Sequence, residues 1–250
     1  MKLALLSDIH ANLHALEACL THAKTQGVQQ FALLGDFVGY GGDPVAVVDR
    51  VMGLAEQGAW LVKGNHDEMS ISPPSPIKNL GEISAPWTHA QLSQAQLAFL
   101  DALPLTQHRD TIFLVHASAN EPAKWHYVYE KQAAADSLNA ALTHPDVRYV
   151  FGGHVHRQKL YYRASNGKIM AFEPQAGVAM PVPGHRIWLA TIGSVGQPRD
   201  ANPLAMYALF DTQSAQITFH RIPYDFQGAA AAIRRAGLPD FFAARLGLGV

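Results

Sequence analysis

The sequence predicts an α/β fold built on a parallel sheet, and three observations carry that prediction. Through the first 67 residues, short apolar runs of strand length alternate with longer stretches of helical periodicity. Helix-stop and helix-start residues stand between them, Gly27 after the first helical stretch and Asp43-Pro44 before the second. Polar residues then close each apolar run. Strand, helix, strand, helix, strand is the signature of parallel strands joined by crossover helices.

Taken in order, "KLALLSD" (2–8) reads as a buried strand. In "ANLHALEACLTHAKTQG" (11–27), Leu13, Leu16 and Leu20 fall at helical spacing and Gly27 sits where the helix stops. "FALLGD" (31–36) is a second strand. "GDPVAVVDRVMGLAEQG" (42–58) is a second helix, with Asp43 as N-cap and Pro44 at its first position. "AWLVKGNHD" (59–67) is a third strand. Residues 68–90 carry four prolines and little periodicity, which predicts an excursion over the surface, a cap or insert. "QLSQAQLAFLDALP" (91–104) and "EKQAAADSLNAALTHP" (130–145) are amphipathic helices around the strand "TIFLVHAS" (111–118), and "RYVFGGHVH" opens with a further strand. Beyond it, Asn166-Gly167 between apolar runs marks a hairpin. Residues 186–200 and 204–225 supply three more strands, and the tail from Gly228 is helical with breaks at Gly237 and Pro239. No composition shift marks a linker, so residues 1–250 read as one domain.

Bulk properties exclude several functions. Lys plus Arg (19) nearly equals Asp plus Glu (20), which leaves no basic field for non-specific nucleic-acid binding. One cysteine, Cys19, allows no internal disulfide and fits a reducing, cytoplasmic compartment. Asp8 ends the N-terminal apolar run too early for a signal-peptide core, and no stretch has the length of a membrane span. The unusual quantity is histidine, at 13 copies.

Position makes those histidines informative. Asp8 and His10 follow the first strand, Asp36 the second, Asn65, His66 and Asp67 the third, His116 the fourth, and His154 and His156 the next. Active sites of open α/β sheets lie beyond the carboxyl ends of the strands, so these groups can converge if the strands share a sheet. In Asp8-x-His10 and His154-x-His156, side chains two apart share a face if the chain stays extended. Carboxylates and imidazoles are costly to bury unpaired, and metal coordination relieves that cost. Asp8, His10, Asp36, Asn65, His116, His154 and His156 are too many ligands for one tetrahedral ion, so two are expected. The mixed N/O set suits divalent Mn, Fe, Zn, Co or Ni better than Ca or Mg. Without a thiolate, it is unlike a structural zinc site.

These motifs, Asp8-x-His10, Gly35-Asp36, Gly64-Asn65-His66-Asp67, His116 and Gly153-His154-x-His156, resemble in kind and order those of the calcineurin-like metallophosphoesterases. "GSVGQPRD" (193–200) resembles the family's bacterial branch of small phosphodiesterases and phosphatases. The resemblance implies a four-layer αββα sandwich of two mixed β-sheets flanked by helices. It implies that Asp8, His10 and His156 hold one metal, that Asn65, His116 and His154 hold the other, and that Asp36 bridges them. His66 would protonate the leaving oxygen or stabilise charge there, with Asp67 a candidate to orient its ring. The implied activity is hydrolysis of small, nucleotide-like phosphate esters by attack of a metal-bridging hydroxide. A diesterase is expected first, and a symmetrical dinucleoside tetraphosphate hydrolase or a phosphomonoesterase is the alternative. A non-catalytic metal-bearing scaffold is disfavoured because His66 is present. A metallo-β-lactamase-type hydrolase would want His-x-His-x-Asp-His, whose last members "HVHRQK" lacks. Association into a homo-oligomer stays open.

Two departures bear on the substrate. The protein phosphatase branch carries arginines beside the Gly-Asp and Gly-Asn-His motifs, whereas Tyr40 and Lys63 stand there in this chain. Asn65, Tyr40 and Arg199 are the expected substrate contacts. Gly193–Gly196 is either an anion-binding nest or a tight structural turn. "WHYVY" (125–129) is either packed aromatic core or a surface for stacking a base.

Overall fold

The computed structural model describes residues 1–250. Two six-stranded mixed sheets lie face to face between layers of helix. The first sheet has the order β3 (Trp60–Leu61), β2 (Gln30–Leu33), β1 (Lys2–Leu6), β11 (Ala205–Asp211), β12 (Gln216–Ile222) and β9 (Ala179–Pro181). The second runs β4 (Thr106–Arg109), β5 (Ile112–Val115), β6 (Tyr149–Gly152), β10 (Trp188–Ile192), β7 (Gln158–Arg163) and β8 (Ile169–Phe172). Strands β1, β2 and β3 pair in parallel, as do β5, β6 and β10; the other pairs are antiparallel.

The apolar runs are explained by burial on both faces of each sheet. In β1, Leu3 and Leu5 point between the sheets, against Ile112, Phe151 and Phe210, while Ala4 and Leu6 point the other way onto helices. Each fully buried leucine contributes about 1.5–3 kcal/mol. Those helices are α1 (Leu13–Thr25), α2 (Pro44–Glu56) and α5 (Gln94–Asp101), and they cover the outer face of the first sheet. Cys19 is buried within α1, with no other cysteine to bond. In the second sheet Phe151 and Ala190 face inward, and Val150 and Leu189 pack under α6 (Lys131–Ala141). The tail forms α7 (Phe226–Arg235) and α8 (Asp240–Leu248), packed on each other and on Tyr40. No helix is long and apolar enough to cross a membrane.

Several elements differ from the sequence expectation. The third strand shrinks to Trp60–Leu61, and "NHD" opens a short helix, α3 (Asn65–Ile71). The 68–90 stretch contains the rest of α3 and most of α4 (Ala85–Gln91), leaving only 72–84 as loop. Strands β4 and β9 went unread because they are edge strands: β4 is the polar "TQHR" and β9 is three residues long. The five ligand-bearing strand ends do not share one sheet. β1, β2 and β3 belong to the first, and β5 and β6 to the second.

Candidate metal centre and active site

The loops after these strands meet where the two sheets adjoin. Asp8 and His10 leave β1 with φ of 53° and 50°, Asp36 follows β2 at 54°, and His154 and His156 follow β6 at 65° and 54°. All five are non-glycine residues in the left-handed region, which costs on the order of 1 kcal/mol or more at each. The expected extended Asp-x-His and His-x-His pairs are therefore absent: each pair sits on a coiled loop. Backbone hydrogen bonds hold the strained loops. Asp8 N donates to Gly35 O (3.0 Å), His10 N to Asp36 O (2.9 Å) and Gly153 N to His116 O (2.7 Å). His154 N donates to the Asp8 carboxylate at 2.9 Å, which ties the second sheet to the first.

Asp8, Asp36, His10, His66, His116, His154 and His156 are all buried and converge on one volume. Three imidazoles are oriented alike. His10 Nδ1 meets Val38 O at 3.2 Å, His116 Nδ1 meets Leu34 O at 2.7 Å, and His156 Nδ1 meets Gln197 O at 2.6 Å. A carbonyl only accepts, so Nδ1 carries the proton and each Nε2 turns a lone pair inward. Those lone pairs confront other acceptors: His10 Nε2 and His156 Nε2 are 3.1 Å apart, and His116 Nε2 is 3.2 Å from His154 Nδ1. Facing acceptors need a proton or a cation between them. His154 is reversed, with Nδ1 inward and its Nε2 buried without a partner.

Three overlapping donor groups result. Asp8, His10 and His156 form the first, Asp36, His116 and His154 the second, and His10, Asp36 and His66 the third, with ligand atoms in each within 4.8 Å of one another. Asn65 Oδ1 joins the second group, 3.1 Å from His116 Nε2. Asp36 Oδ2 lies 3.3 Å from His116 Nε2 and 3.8 Å from His10 Nε2, so it reaches both. Burial opposes charge on Asp8 and Asp36, but the imidazoles around them outweigh it and hold both carboxyls well below their usual range. Burial likewise opposes charge on His116, yet Asp36 lifts it to about 9, so without a cation a proton there supplies positive charge. Two carboxylates, an amide oxygen and inward imidazole lone pairs suit divalent transition ions in number and type.

His66 stands beside this cluster. Its backbone N–H donates to Asp36 Oδ1 at 2.7 Å, and its ring lies 5.0 Å from His10 and 4.5 Å from Tyr40. Burial lowers its pKa to about 4. A Cβ on Gly39, whose φ is 89°, would stand 2.6 Å from His66 Nδ1, so only glycine fits under that ring. The loop 72–84 passes over the same edge: Tyr40 N donates to Ser84 Oγ at 2.9 Å, and Gly81 adjoins Tyr40 Oη and His66 Cε1. The Arg199 guanidinium stands 5.8 Å from the Tyr40 ring and donates to Gln197 Oε1 at 2.8 Å.

One expected role does not survive the geometry. Asp67 does not orient His66. Its carboxylate accepts from the backbone N–H groups of Asp36 (2.9 Å), Phe37 (2.8 Å), Val38 (3.3 Å) and Gly64 (2.9 Å), because α3 starts against the loop after β2. Of the two readings of Gly193–Gly196, the structure takes the structural turn: Val195 N and Gly196 N donate to Ser7 O and Asp8 O at 2.9 Å each.

Other participants had weak signals in the sequence or none. Tyr127 stacks on His154 (4.1 Å, 23°), and Trp125 Nε1 donates to Glu68 Oε2 at 3.0 Å. The aromatic pattern was visible, but not its direction. Gln197 acts through its backbone carbonyl, which any residue would supply. Arg245 of α8 reaches to 6.0 Å from the Tyr40 ring, and nothing in the tail's sequence marked it.

Known proteins resemble this chain in sequence and in fold. The model of the calcineurin-like phosphoesterase superfamily domain matches residues 1–215. An uncharacterised protein of Methanocaldococcus jannaschii is 31% identical over 253 residues, spanning 99% of this chain and 98% of its own. The crystal structure of a metallophosphoesterase from Sphaerobacter thermophilus is 34% identical and matches with a TM-score of 0.88 over 100% of both chains. A hypothetical protein from Pyrococcus horikoshii, 18% identical, shares the fold with a TM-score of 0.79 over 100% of this chain and 98% of its own.

Proposed function

Because the chain belongs to the calcineurin-like phosphoesterase superfamily, hydrolases of phosphate esters, we propose that it is a dinuclear metal-dependent phosphodiesterase acting on small, nucleotide-like esters. The observation that carries this reading is the pair of buried donor groups whose lone pairs face one another, with Asp36 in reach of both. Asp8, His10 and His156 would hold one divalent ion, and Asn65, His116 and His154 the other. Bound there, the two ions would lower the pKa of a water and polarise the phosphoryl oxygens.

The chain's own residues do the rest. The Val38, Leu34 and Gln197 carbonyls fix the tautomers of His10, His116 and His156, so the donors are set before substrate arrives. His66 offers a ring N–H to the leaving oxygen as charge develops there. Arg199 stands beside Tyr40 and supplies positive charge at the same edge.

The diester is placed first because Lys63, beside the Gly-Asn-His motif, is turned away, with Nζ donating to Asp101 O at 2.8 Å, which leaves Arg199 and Arg245 as the cations at the Tyr40 edge. A singly charged diester asks less of the site than a doubly charged monoester. Substitution His66→Ala is expected to lower kcat on bis(p-nitrophenyl) phosphate by about 10²–10⁴-fold while elemental analysis still finds the wild-type metal content. Assayed beside it, p-nitrophenyl phosphate and diadenosine tetraphosphate rank the alternatives. A large advantage for the monoester would replace the diesterase reading with a phosphatase.

A further inference from the structure

The segment "WHYVY" (125–129) is not used by the chemistry above, yet it forms part of the wall of the site. Val128 is buried among Val115, Leu138 and Val150, and Tyr161 Oη donates to Tyr129 O at 3.0 Å. That anchor turns the residues on either side of Val128 outward together. Tyr127 and Tyr129 stack with their rings 5.2 Å apart and 7° from parallel, and Tyr127 stacks in turn on His154. The result is a column of three rings that starts at a metal-ligand candidate and leads away from it. Both tyrosines stay about half exposed, at 49% and 47%.

The column ends at a cavity of about 590 Å³, within the range of small-molecule sites. Tyr129 lines it together with Glu130, Arg157, Gln158, Lys159 and Glu173. One face of the Tyr129 ring lies on Tyr127, and the residue stays half exposed where it lines the cavity. An open depression lined by Arg157, Arg199 and Asp200 shares Arg157 and Asp200 with this cavity, and Arg199 also stands 5.8 Å from the Tyr40 ring. Arg221 is paired with Asp200. Arg157 has no carboxylate partner: its Nε donates to Arg199 O at 2.9 Å, and its remaining N–H groups have no protein acceptor.

We propose that this cavity is a nucleoside subsite: the base of the substrate stacks on the outer face of Tyr129, and Arg157 binds a second phosphate between the base and the scissile one. The substrate class is thus an extended nucleotide ester, with a further phosphate between the scissile one and the base, because three ring layers separate the base from the metal groups. Glu130 and Glu173 offer acceptors to an exocyclic amine. The proposal rests on the phosphoesterase reading for the scissile phosphate, and on the cavity alone for the base.

Calorimetric titration of the manganese-loaded full chain with ADP and with inorganic pyrophosphate tests it. Wild type is expected to bind ADP about ten-fold more tightly than pyrophosphate, the gain that stacking one base supplies. Tyr129→Leu should erase that difference, and Tyr129→Trp should keep or enlarge it. Arg157→Gln should weaken both ligands together. Equal affinity for ADP and pyrophosphate in wild type, or an unchanged ADP preference in Tyr129→Leu, overturns the base subsite. Unchanged binding of both ligands in Arg157→Gln overturns its phosphate role. Hydrolysis of bis(p-nitrophenyl) phosphate is read separately. A wild-type protein inactive on that ester but with a Tyr129-dependent ADP preference sinks the hydrolase reading and leaves the subsite standing. An active protein without the preference does the reverse.

Discussion

Asp67 and His66 are neighbours in the chain with unrelated tasks. The Asp67 carboxylate collects four backbone N–H groups from the two loops that present Asp36 and Asn65. Burial and the nearby Asp36 charge push its pKa up to about 7, while those N–H donors favour the carboxylate. Replacing one oxygen with an amide N–H₂ would set donor against donor. Asp67→Asn is therefore expected to cost about 2–4 kcal/mol, seen as a fall of roughly 10 °C in Tm, with reduced metal content. His66→Ala, by contrast, should leave Tm and metal content near wild type. Equal damage to both variants in calorimetry would mean that the residue roles are drawn wrongly. The Asp67 carboxylate was legible in the sequence as part of a Gly-Asn-His-Asp motif; three of its four partners were not, because they are main-chain groups of residues some 30 positions away.

At the scale of elements, the turns after the strands are packed so closely that single atoms decide the site. A Cβ added at Gly153, between β6 and His154, would fall on Ser7 Oγ and the Asp8 carboxylate. Gly153→Ala should therefore separate the two sheets' loops, cost about 1–3 kcal/mol and lower metal occupancy, as elemental analysis would report. A second element carries its own pH dependence. In the β11–β12 hairpin, His220 stacks on Tyr207 at 4.8 Å, faces His22 at 5.0 Å and has a buried Nε2 without a partner. Burial and His22 lower its pKa from 6.5 to about 4. The unfolded chain then takes up this proton first as pH falls. The stability linked to His220 is full above pH 6.5 and is lost progressively toward pH 4. The ring is partly solvated, so the effect is on the order of 1 kcal/mol, about 2–4 °C in Tm. In His220→Asn, the fall in Tm between neutral pH and pH 4.5 should be smaller by that amount; an identical acid limb in both proteins would remove His220 as its source.

For the whole molecule, the centre is a joint between two sheets, so its occupancy should couple to global stability. Donors come from loops after β1, β2, β5 and β6 and from the start of α3. A cation bound only by the folded chain stabilises it by about 3–4 kcal/mol at 100–1,000 times its Kd. Chelation is thus expected to abolish turnover and to lower Tm by roughly 10 °C, with both restored by manganese. Loss of activity without any change in Tm would place the metals outside this joint. The sequence by itself determined the alternation of buried strands and helices, the hairpin at Asn166-Gly167, and which acid, amide and imidazole groups end the strands. It could do so because burial and ligand chemistry belong to side chains, and side chains are what a sequence records. Only the tertiary structure decided that the strands divide between two sheets, that Asp8, His10, Asp36, His154 and His156 sit on left-handed backbone, and which nitrogen of each imidazole turns inward. Those outcomes depend on main-chain carbonyls and N–H groups brought from far along the chain, and every residue carries the same ones.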